Sequence, residues 1–582
     1  MRGPADAREL LLCAADVDPD RAYLITAGQA DGVERAGVER TLHYGELVGS
    51  VAGLARALVA EGVRPGDRVA VAATNSIEWA LTAWAATATG RVVVGLNSWW
   101  PAEDLLAGIE LTSPVVLVVD AARLQRLEPH LSRLAGVRRI WLIGADGDRS
   151  HPGSGDPRIA PFPILDPTGV VELPAADLGP DDTATLLFTS GTTGAAKAVI
   201  GTHGALAATV RNVAWLGSQY APTVALVAPD PAAARSGGRP SDGVPSDGGP
   251  SVGVMSAPMF HVAGLQWGVM VPVASGGTVI LNSGRYDPVR VMELVARHRV
   301  TSLGGVPTMM TRLVDHPRVG EFDLTSLTSV SWGGAPPPAD LIERCRAVFP
   351  RLSMVGTGYG LTETNGLVVY GAGTDLLTRP GTVGKAFPGS GVRVVGPDDA
   401  ALPAGERGEV QLAGPCVMPG YWQRPDATAQ AFTADGWLRT GDLGTLDAEG
   451  FLTLTGRSKE LIIRGGENVY PVQVEAALTE HPQVLDAAVI GRAHRDLGEE
   501  VVAVVQVALA DDRGNDRDDD GDDDEVAGVT AEALIAHVAQ RVPRFAVPVE
   551  ITVQTEPLPR NAAGKLIRDM IAGAPGTLTE TF

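Results

Sequence analysis

The sequence predicts an α/β fold, with a large N-terminal domain of layered α/β subdomains and a small α+β C-terminal domain. Over residues 43–120, apolar patterns of helical period alternate with short apolar runs typical of strands. The same alternation returns over residues 303–355, where each apolar run enters a loop rich in Gly and Pro. After Gly456 a more compact β/α pattern runs to the C-terminus. Alternating helices and strands imply parallel strands in layers, with ligands bound at the loops that leave the strands.

Local patterns place the individual elements. In the N-terminal part we predict a helix over 44–60, a turn at 64–67, a strand over 68–73, a helix over 79–87 and strands over 115–119, 303–306, 330–332 and 353–355. In the C-terminal part we predict strands over 451–455 and 501–508 and a helix over 531–542. The long apolar stretch 264–281 contains Pro272, Gly276 and Gly277, which favours a buried helix–turn–strand over a membrane span.

Composition narrows the class of protein. A chain of 582 residues suggests two or more domains, and 45% apolar with 20% charged residues is typical of a globular protein. The net charge of −22 argues against nucleic acid or an anionic membrane as the main partner. The sparse cysteines, Cys13, Cys345 and Cys416, suit a reducing compartment, and the N-terminus lacks a signal-peptide pattern. We therefore expect a cytoplasmic protein without an integral membrane segment; nothing indicates its oligomeric state.

Two segments have a composition that cannot bury a core. Residues 229–251 are mostly Ala, Gly, Pro, Ser and Asp, and residues 511–525 are strongly acidic. We predict disordered inserts at both places. A docking role is the alternative, but passive insertions are favoured because biased segments are usually solvated loops.

A loop of small residues follows the apolar run 186–188. Thr189, Ser190, Gly191, Thr192, Thr193 and Gly194 are followed by Lys197. Glycines let backbone N–H groups approach a polyphosphate, and hydroxyls and a lysine donate to its oxygens. The spacing is not that of the ordinary P-loop, and a flexible surface loop is the alternative for this segment taken alone.

Four further motifs follow in order along the chain. They are Tyr359-Gly360-Leu361-Thr362-Glu363-Thr364, Arg439-Thr440-Gly441-Asp442, Gly456-Arg457-Ser458-Lys459-Glu460 and Pro559-Arg560-Asn561-Ala562-Ala563-Gly564-Lys565. Together with the loop before Lys197, they resemble the adenylate-forming superfamily of acyl-CoA synthetases, adenylation domains and luciferases. The resemblance runs from about residue 44 to residue 568 and is strongest to fatty-acid:CoA ligases.

The resemblance implies an ATP-dependent ligase with Mg²⁺ and CoA as cofactors and a small carboxylic acid, expected to be a fatty acid, as substrate. The acid would attack the α-phosphate to form an acyl-adenylate and pyrophosphate, and the thiol of CoA would then displace AMP. It also implies an N-terminal AMP-binding domain over 1–458 and a mobile C-terminal catalytic domain over 459–582, joined by a hinge at Lys459. Rotation about that hinge would exchange two faces of the C-terminal domain between the half-reactions.

The resemblance also assigns residues. The expected catalytic residues are Lys565, Thr362, Glu363, Arg457 and His261, with Glu363 holding Mg²⁺. The expected cofactor-binding residues are Thr189, Ser190, Gly191, Thr192, Thr193, Gly194, Lys197, Gly334, Ala335, Pro336, Gly358, Tyr359, Asp442, Lys459, Gly465 and Gly466. Taken singly, Tyr359 or His261 would be a packed core residue, Asp442 a turn residue and Lys565 a solvated lysine.

Three positions depart from the family pattern. Ala196 and Ala198 flank Lys197 where relatives carry Pro and Gly, which predicts weaker nucleotide affinity if the glycine used a positive φ. Ala546 stands where relatives commonly carry a lysine, which leaves contacts to the thiol partner less defined. Two alternatives to a CoA ligase therefore stay open, an acyl-adenylate ligase that loads a separate carrier protein and a nucleotide-binding homologue without catalysis.

Overall fold

The computed structural model describes residues 4–27, 39–144, 155–163, 172–189, 196–220, 250–284, 286–334, 337, 340–465, 467–507, 529–561 and 565–572. Residues 229–249 of the first predicted insert and the whole of the second lie outside these residues. Of the described helices, none has the length and apolar character needed to cross a membrane.

The helices lie mostly between strands along the chain. They are α1 (Ala7–Leu12), α2 (Tyr44–Ala60), α3 (Ile77–Thr87), α4 (Ala102–Thr112), α5 (Ala121–Leu127), α6 (His203–Tyr220), α7 (Val262–Leu265), α8 (Val271–Ser275), α9 (Pro288–His298), α10 (Pro307–Val314), α11 (Leu341–Val348), α12 (Thr374–Thr378), α13 (Pro425–Ala431), α14 (Pro471–Thr479), α15 (Ala531–Ala539) and α16 (Arg568–Ala572).

The strands form three sheets. They are β1 (Ala22–Thr26), β2 (Arg40–His43), β3 (Arg68–Ala72), β4 (Val92–Gly95), β5 (Val116–Val119), β6 (Arg139–Leu142), β7 (Ile159–Pro161), β8 (Thr183–Phe188), β9 (Ala198–Thr202), β10 (Val252–Met255), β11 (Thr278–Leu281), β12 (Ser302–Gly305), β13 (Ser329–Gly333), β14 (Met354–Leu361), β15 (Gly366–Ala372), β16 (Thr382–Ala386), β17 (Gly391–Val395), β18 (Arg407–Ala413), β19 (Leu438–Leu446), β20 (Leu452–Arg457), β21 (Ile462–Arg464), β22 (Glu467–Val469), β23 (Val484–His494), β24 (Gly498–Val507) and β25 (Glu550–Gln554).

The first sheet has seven strands in the order β7-β6-β5-β3-β4-β8-β9. Neighbouring strands are parallel except for the antiparallel pair β8 and β9. Val69 and Val71 of β3 pack on one face, whereas Ala70 and Ala72 pack on the other. Burial on both faces explains why these strands are continuous apolar runs in the sequence.

The second sheet has thirteen strands in the order β17-β18-β19-β20-β16-β15-β14-β13-β12-β10-β11-β1-β2. The block from β14 to β1 is parallel, and the block from β14 to β17 is antiparallel. Side chains of α2 and α3 pack with both sheets in one cluster, α4 and α5 cover the outer face of the first sheet, and α9, α10 and α11 cover that of the second. The predicted layered α/β architecture is therefore confirmed.

The third sheet is small and lies in the C-terminal part. Its order is β22-β21-β24-β23, and β25 pairs in parallel with β24. Helices α14 and α15 pack on one face, and Ile571 of α16 packs on the other. Lys459 lies in the 3₁₀ turn Ser458–Glu460 between the last strand of the second sheet and the first of the third. The domain boundary at this residue stays a prediction.

The largest difference between a predicted element and the structure lies in β14; the helix predicted over 531–542 is shorter, Ala531–Ala539, and the strand predicted over 501–508 is Gly498–Val507. The predicted strand over 353–355 was expected to enter a glycine loop, but β14 runs from Met354 to Leu361 through that glycine-rich segment. β14 pairs with β13 on one side and with β15 on the other. A Cβ at Gly356 would lie 2.0 Å from the Tyr370 hydroxyl, and one at Gly358 would lie 2.8 Å from the Leu367 side chain. Glycine is therefore needed here for close side-chain approach, which outweighs its low strand propensity.

Candidate active site

Three predicted residues meet at a buried carboxylate. Asp442 of β19 accepts a hydrogen bond from the Tyr359 hydroxyl at 2.7 Å on one oxygen and from Arg457 Nε at 2.9 Å on the other. Asp442 and Arg457 stand opposite each other in the β19–β20 register, so the sheet itself sets their spacing. Burial and then the Asp442 charge raise the pKa of Tyr359, and the phenol therefore stays a neutral donor. Burial opposes the charge on Arg457, but the Asp442 carboxylate raises its pKa overall.

Lys565, from the C-terminal part, lies in the same group. Burial and then the charge of Arg457 lower its pKa, while the carboxylates of Asp442, Glu363 and Glu460 act in the opposite direction. A Cβ at Gly334 would lie 3.8 Å from Lys565 Cε, and Gly334 has a φ of +79°. The lysine predicted from the last motif is thus buried within range of the charges of residues predicted from three other motifs.

Glu363 and Lys197 are joined through a tyrosine that the sequence analysis missed. The Tyr421 hydroxyl donates to Glu363 Oε1 at 2.8 Å, and Lys197 Nζ lies 4.9 Å from the centroid of the Tyr421 ring. Glu363 itself lies in the 3₁₀ turn Thr362–Thr364 that ends β14, beside the predicted residue Thr362. Tyr421 had no sequence signal beyond a Pro-Gly-Tyr-Trp turn, because its partners are distant along the chain.

Glu363 suits the magnesium ion that the family implies. Among the residues that the structure describes, no cluster of three or more His, Cys, Asp or Glu side chains could hold a metal. Mg²⁺ in nucleotide sites is typically held by one or two carboxylates, with phosphate oxygens and water completing the shell. A single half-buried glutamate with one oxygen fixed by Tyr421 fits that role.

His261 caps the N-terminus of α7. Its Nδ1 accepts a hydrogen bond from the Ala263 N–H at 3.3 Å, so the neutral ring carries its hydrogen on Nε2. Burial and then the charge on Lys565 lower the pKa of His261 to about 4. The side chain is therefore a neutral donor at physiological pH, close enough to Lys565 to be affected by its charge.

The remaining predicted residues have separate positions. Thr189 follows β8, and its N–H donates to the Lys197 carbonyl at 3.0 Å. Gly465 directly follows β21 with a φ of +60°, and its N–H donates to the carbonyl of Leu497, the residue before β24, at 2.7 Å. It thus lies beside the third sheet and not in the group around Asp442. The predicted site residues outside the described ranges are Ser190, Gly191, Thr192, Thr193, Gly194, Ala335, Pro336 and Gly466.

Two of the three positions that depart from the family pattern, Ala198 and Ala546, take ordinary positions in the structure. Ala198 is the first residue of β9 and pairs with Phe188 across the β8–β9 hairpin, so its methyl group lies on extended backbone without strain. Ala546 is buried at the end of the 3₁₀ turn Arg544–Ala546, and the preceding Phe545 carbonyl accepts from Arg464 at 2.8 Å. A weaker nucleotide affinity was predicted if this position needed a positive φ, and the extended backbone of Ala198 does not meet that condition.

The loop that carries Lys565 is anchored by a buried ion pair. Arg560 Nη2 donates to both Asp486 oxygens, at 2.8 and 2.7 Å, and Arg560 Nε donates at 3.2 Å. The loop is closed by Asn561 N–H to the Lys565 carbonyl at 2.8 Å and by Lys565 N–H to Asn561 Oδ1 at 3.0 Å. Asp486, in β23, thus fixes the start of the loop relative to the third sheet.

For the activity that the family resemblance implies, we expect Asp486→Asn to slow acyl-adenylate formation by about 10- to 100-fold, because a displacement of the lysine by about 1 Å has effects of that size. The measurement is the rate of acid-dependent ATP–pyrophosphate exchange, compared with thioester formation from supplied acyl-adenylate and CoA. Asp435→Asn is the matched control, because it breaks the exposed pair that Asp435 makes with Arg393 at 2.7 and 3.0 Å. An unaltered exchange rate in Asp486→Asn would show that Lys565 does not depend on this anchor.

Comparison with known proteins matches most of the chain. The family model described as "AMP-binding enzyme" matches residues 14–422, and the model "AMP-binding enzyme C-terminal domain" matches residues 473–565. A feruloyl-CoA synthase from an Amycolatopsis species is 33% identical over 527 residues, covering 90% of this chain and 92% of the relative. A 3-[(3aS,4S,7aS)-7a-methyl-1,5-dioxo-octahydro-1H-inden-4-yl]propanoyl:CoA ligase from Mycobacterium tuberculosis is 33% identical over 534 residues, covering 90% and 92%.

A solved structure agrees with these matches. ATP-bound MatB from Rhodopseudomonas palustris superposes with a TM-score of 0.75 at 28% identity, covering 97% of this chain and 98% of MatB. The similarity includes both the N-terminal sheets and the C-terminal sheet, because nearly the whole length of each chain is aligned.

Proposed function

Because this chain belongs to the AMP-binding enzyme family and is an acyl-CoA ligase, we propose that it joins a ring-bearing carboxylic acid to CoA through an acyl-adenylate. ATP, Mg²⁺ and CoA are its cofactors, and the small-molecule acid and CoA are its reaction partners. The observation that carries the proposal is the buried Asp442 carboxylate, which accepts hydrogen bonds from both Tyr359 and Arg457, with Lys565 buried where the charges of Arg457 and Asp442 act on it.

In the first half-reaction a carboxylate oxygen of the acid bonds to the α-phosphorus, and the bond from that phosphorus to the pyrophosphate oxygen breaks. Negative charge accumulates on the transferring group, so cations and N–H donors aimed at it lower the barrier. Lys565 and Arg457 supply two cations at one site, and Thr362 is assigned to the α-phosphate. Glu363 is assigned to Mg²⁺, which would neutralise phosphate charge when bound. The segment Thr189 to Gly194 with Lys197 is assigned to the β- and γ-phosphates.

The adenosine part of ATP would lie against the second sheet. Tyr359 is assigned to the adenine face, with Gly358 beside it and Gly334, Ala335 and Pro336 at its edge. Asp442 is assigned to the ribose hydroxyls. Its two oxygens accept from Tyr359 and Arg457, and each carboxylate oxygen has a further lone-pair direction with which to accept from a hydroxyl.

The acid would lie on the other side of Lys565. His261 is assigned to orient its carboxylate, since a neutral imidazole with its hydrogen on Nε2 donates without adding charge. In the second half-reaction the CoA sulfur bonds to the acyl carbon, and the bond from that carbon to the AMP oxygen breaks. Gly465 and Gly466 are assigned to the pantetheine arm, and Lys459 to the hinge that exchanges the two faces.

Lysine is scarce in this chain, which supports three of these assignments. It occurs only at Lys197, Lys385, Lys459 and Lys565, and arginine supplies all the other basic side chains. A lysine is a compact point charge on a flexible stem, whereas arginine is a planar fork of donors. Three of the four lysines thus stand at the phosphate loop, the predicted hinge and the predicted catalytic position, and the fourth, Lys385, is exposed.

The class of acid is inferred from the relatives. The sequence alone favoured a fatty acid, but the names of the two relatives above carry a feruloyl group and an octahydro-indenyl propanoyl group. In both, a ring system lies a few atoms from the carboxyl carbon. We therefore place ring-bearing acids first and fatty acids second.

The proposal is tested by AMP and pyrophosphate release from ATP and Mg²⁺ with a panel of acids, each with and without CoA. The panel holds ferulate and other aryl- or cycloalkyl-propanoates beside short, medium and long-chain fatty acids. Sustained release that requires CoA and is fastest with a ring-bearing acid is the expected result. A preference for a long-chain acid would restore the fatty-acid assignment. A single-turnover burst unaffected by CoA would indicate a carrier protein as acceptor.

A cytoplasmic location accords with this function, because ATP and CoA are cytoplasmic metabolites and a thiol-handling enzyme favours a reducing compartment. The free cysteines Cys13, Cys345 and Cys416 are consistent with it.

A further inference from the structure

Tyr421 touches both charged residues assigned to the phosphates and the metal. Its hydroxyl donates to Glu363 Oε1 at 2.8 Å, and its ring centroid lies 4.9 Å from Lys197 Nζ. Glu363 is 58 residues away along the chain, so this contact exists only through the fold. The reaction as proposed above gives Tyr421 no role.

Backbone hydrogen bonds fix the segment around Tyr421 to the strand after the phosphate loop. The Ile200 N–H donates to the Gly420 carbonyl at 3.1 Å, and the Trp422 N–H donates to the Ala198 carbonyl at 2.8 Å. Val199 and Tyr421 form the bridge between these bonds. The segment therefore pairs with β9 through an isolated antiparallel bridge, which places the tyrosine ring beside Lys197.

The same segment is also fixed to the turn that carries Glu363. The Met418 N–H donates to the Glu363 carbonyl at 2.8 Å, and Asn365 Nδ2 donates to the Cys416 carbonyl at 3.0 Å. The Tyr421 N–H donates to Thr428 Oγ1 at 2.9 Å, and a Cβ at Gly420 would lie 2.7 Å from the Thr428 side chain. Glycine at 420 thus permits the close approach that sets the direction of the next residue. Backbone hydrogen bonds thus fix Tyr421 relative to both β9 and the turn of Glu363. Its side chain, which contacts Glu363 and Lys197, is therefore held in a defined place.

We propose that Tyr421 is a positioning residue that orients the Glu363 carboxylate toward Mg²⁺ and holds the Lys197 ammonium for the phosphates of ATP. The inference rests on the proposed function of those two residues. The hydroxyl occupies one lone pair of Oε1 and limits rotation of the carboxylate, whose remaining lone pairs would be available to hold the cation. The ring face attracts the ammonium group and restricts its long side chain.

The chemistry of the phenol suits this role. A phenol hydroxyl offers a single hydrogen for donation, and that of Tyr421 donates to Glu363 Oε1 at 2.8 Å. Partners that orient metal ligands typically change metal affinity or activity by about 10- to 100-fold when removed. We therefore expect loss of the hydroxyl to weaken binding of the cation by a factor of that size and to leave binding of metal-free ATP unchanged.

Two substitutions separate the two contacts. Tyr421→Phe removes the hydroxyl and keeps the ring for Lys197, whereas Tyr421→Leu removes both. Tyr286→Phe is the matched control, since it removes a hydroxyl that donates to the Met309 carbonyl at 2.7 Å and contacts neither Glu363 nor Lys197. Thermal unfolding of all variants checks that the fold is retained.

The first readout needs no catalysis. Binding of Mn²⁺ in the presence of ATP is followed by electron paramagnetic resonance, and ATP binding without metal is followed by calorimetry. We expect Tyr421→Phe to weaken Mn²⁺ binding by about 10-fold or more with unchanged metal-free ATP affinity. Tyr421→Leu should weaken metal-free ATP binding as well. The second readout is the Mg²⁺ concentration at half-maximal pyrophosphate exchange, which should rise in Tyr421→Phe.

The two readouts distinguish failure of this inference from failure of the proposed function. Wild-type-like Mn²⁺ binding in Tyr421→Phe would overturn the inference even if the wild-type enzyme ligates acids to CoA. Equal weakening of metal-free ATP binding in the Phe and Leu variants would also overturn it, because the hydroxyl would then act on the nucleotide. Wild-type protein that binds Mn²⁺ and ATP but exchanges no pyrophosphate with any acid would count against the proposed function alone.

Discussion

Lys565→Ala should reduce acyl-adenylate formation by about 100- to 1000-fold, the range seen when one donor to a developing negative charge is removed. Lys565 is the member of the candidate site that comes from the C-terminal sheet, and burial together with Arg457 already lowers its pKa. A negatively charged substrate would therefore relieve the electrostatic cost of burying the Lys565 ammonium group near the Arg457 guanidinium. Acid-dependent ATP–pyrophosphate exchange measures this step directly.

The thioester step should be nearly unchanged in the same variant. It is measured by supplying chemically prepared acyl-adenylate and CoA and following acyl-CoA in a single turnover. Lys385→Ala is the matched control, because Lys385 is an exposed lysine whose Nζ lies 4.3 Å from the Phe451 ring centroid. Equal losses in both half-reactions would contradict an adenylation-specific role and indicate a structural defect.

Lys459→Pro should have the opposite pattern, with thioester formation reduced on the order of 100-fold and adenylation largely retained. Lys459 lies in the 3₁₀ turn Ser458–Glu460, and the typical φ of a 3₁₀ turn is close to the value that proline imposes. Proline is thus compatible with the arrangement that brings Lys565 to Asp442. Proline removes rotation about φ of this residue, which the second arrangement would require.

Lys459→Ala is the control for the loss of charge, since it removes the ammonium group and leaves φ free. Both half-reactions are measured as for Lys565→Ala. Loss of thioester formation in the alanine variant equal to that in Lys459→Pro would assign the effect to the side chain. Equal loss of both half-reactions in Lys459→Pro would remove the hinge assignment.

Helices and buried strands followed from local pattern because their own residues specify them. The helix predicted over 44–60 is α2, Tyr44–Ala60, and its apolar positions face one core. The strand predicted over 68–73 is β3, Arg68–Ala72, within one residue. The pattern of apolar residues within each of these segments is enough to predict its structure, without information about neighbouring segments.

The glycine-rich end of β14 could not be predicted in the same way. Its residues have low strand propensity, and they are extended because Tyr370 and Leu367 of β15 need the space that side chains would fill. The residues that require an extended backbone here belong to the partner strand β15 and not to the glycine-rich segment itself. The strand propensity of the segment therefore predicted a loop, whereas pairing with β15 makes it a strand.

The candidate site divides in a similar manner. The motifs and the family resemblance together named Asp442, Arg457 and Lys565. No spacing in the sequence shows that Lys565, which follows the C-terminal sheet, is buried near two residues of the thirteen-stranded sheet. Tyr421 was missed because a lone tyrosine in a turn has no period, charge pattern or repeat, and its partners Glu363 and Lys197 are set by the fold.

The continuity of the thirteen-stranded sheet has a consequence for the fate of the intermediate. Tyr359, Asp442 and Arg457 stand on strands of that single sheet, whereas Lys565 follows the separate C-terminal sheet. Reorientation of the C-terminal part would withdraw one ammonium group and leave the tyrosine–carboxylate–guanidinium trio in place. The mixed anhydride would then keep its nucleotide contacts while CoA approaches, so that its escape into water, and its hydrolysis there, would be limited between the two steps.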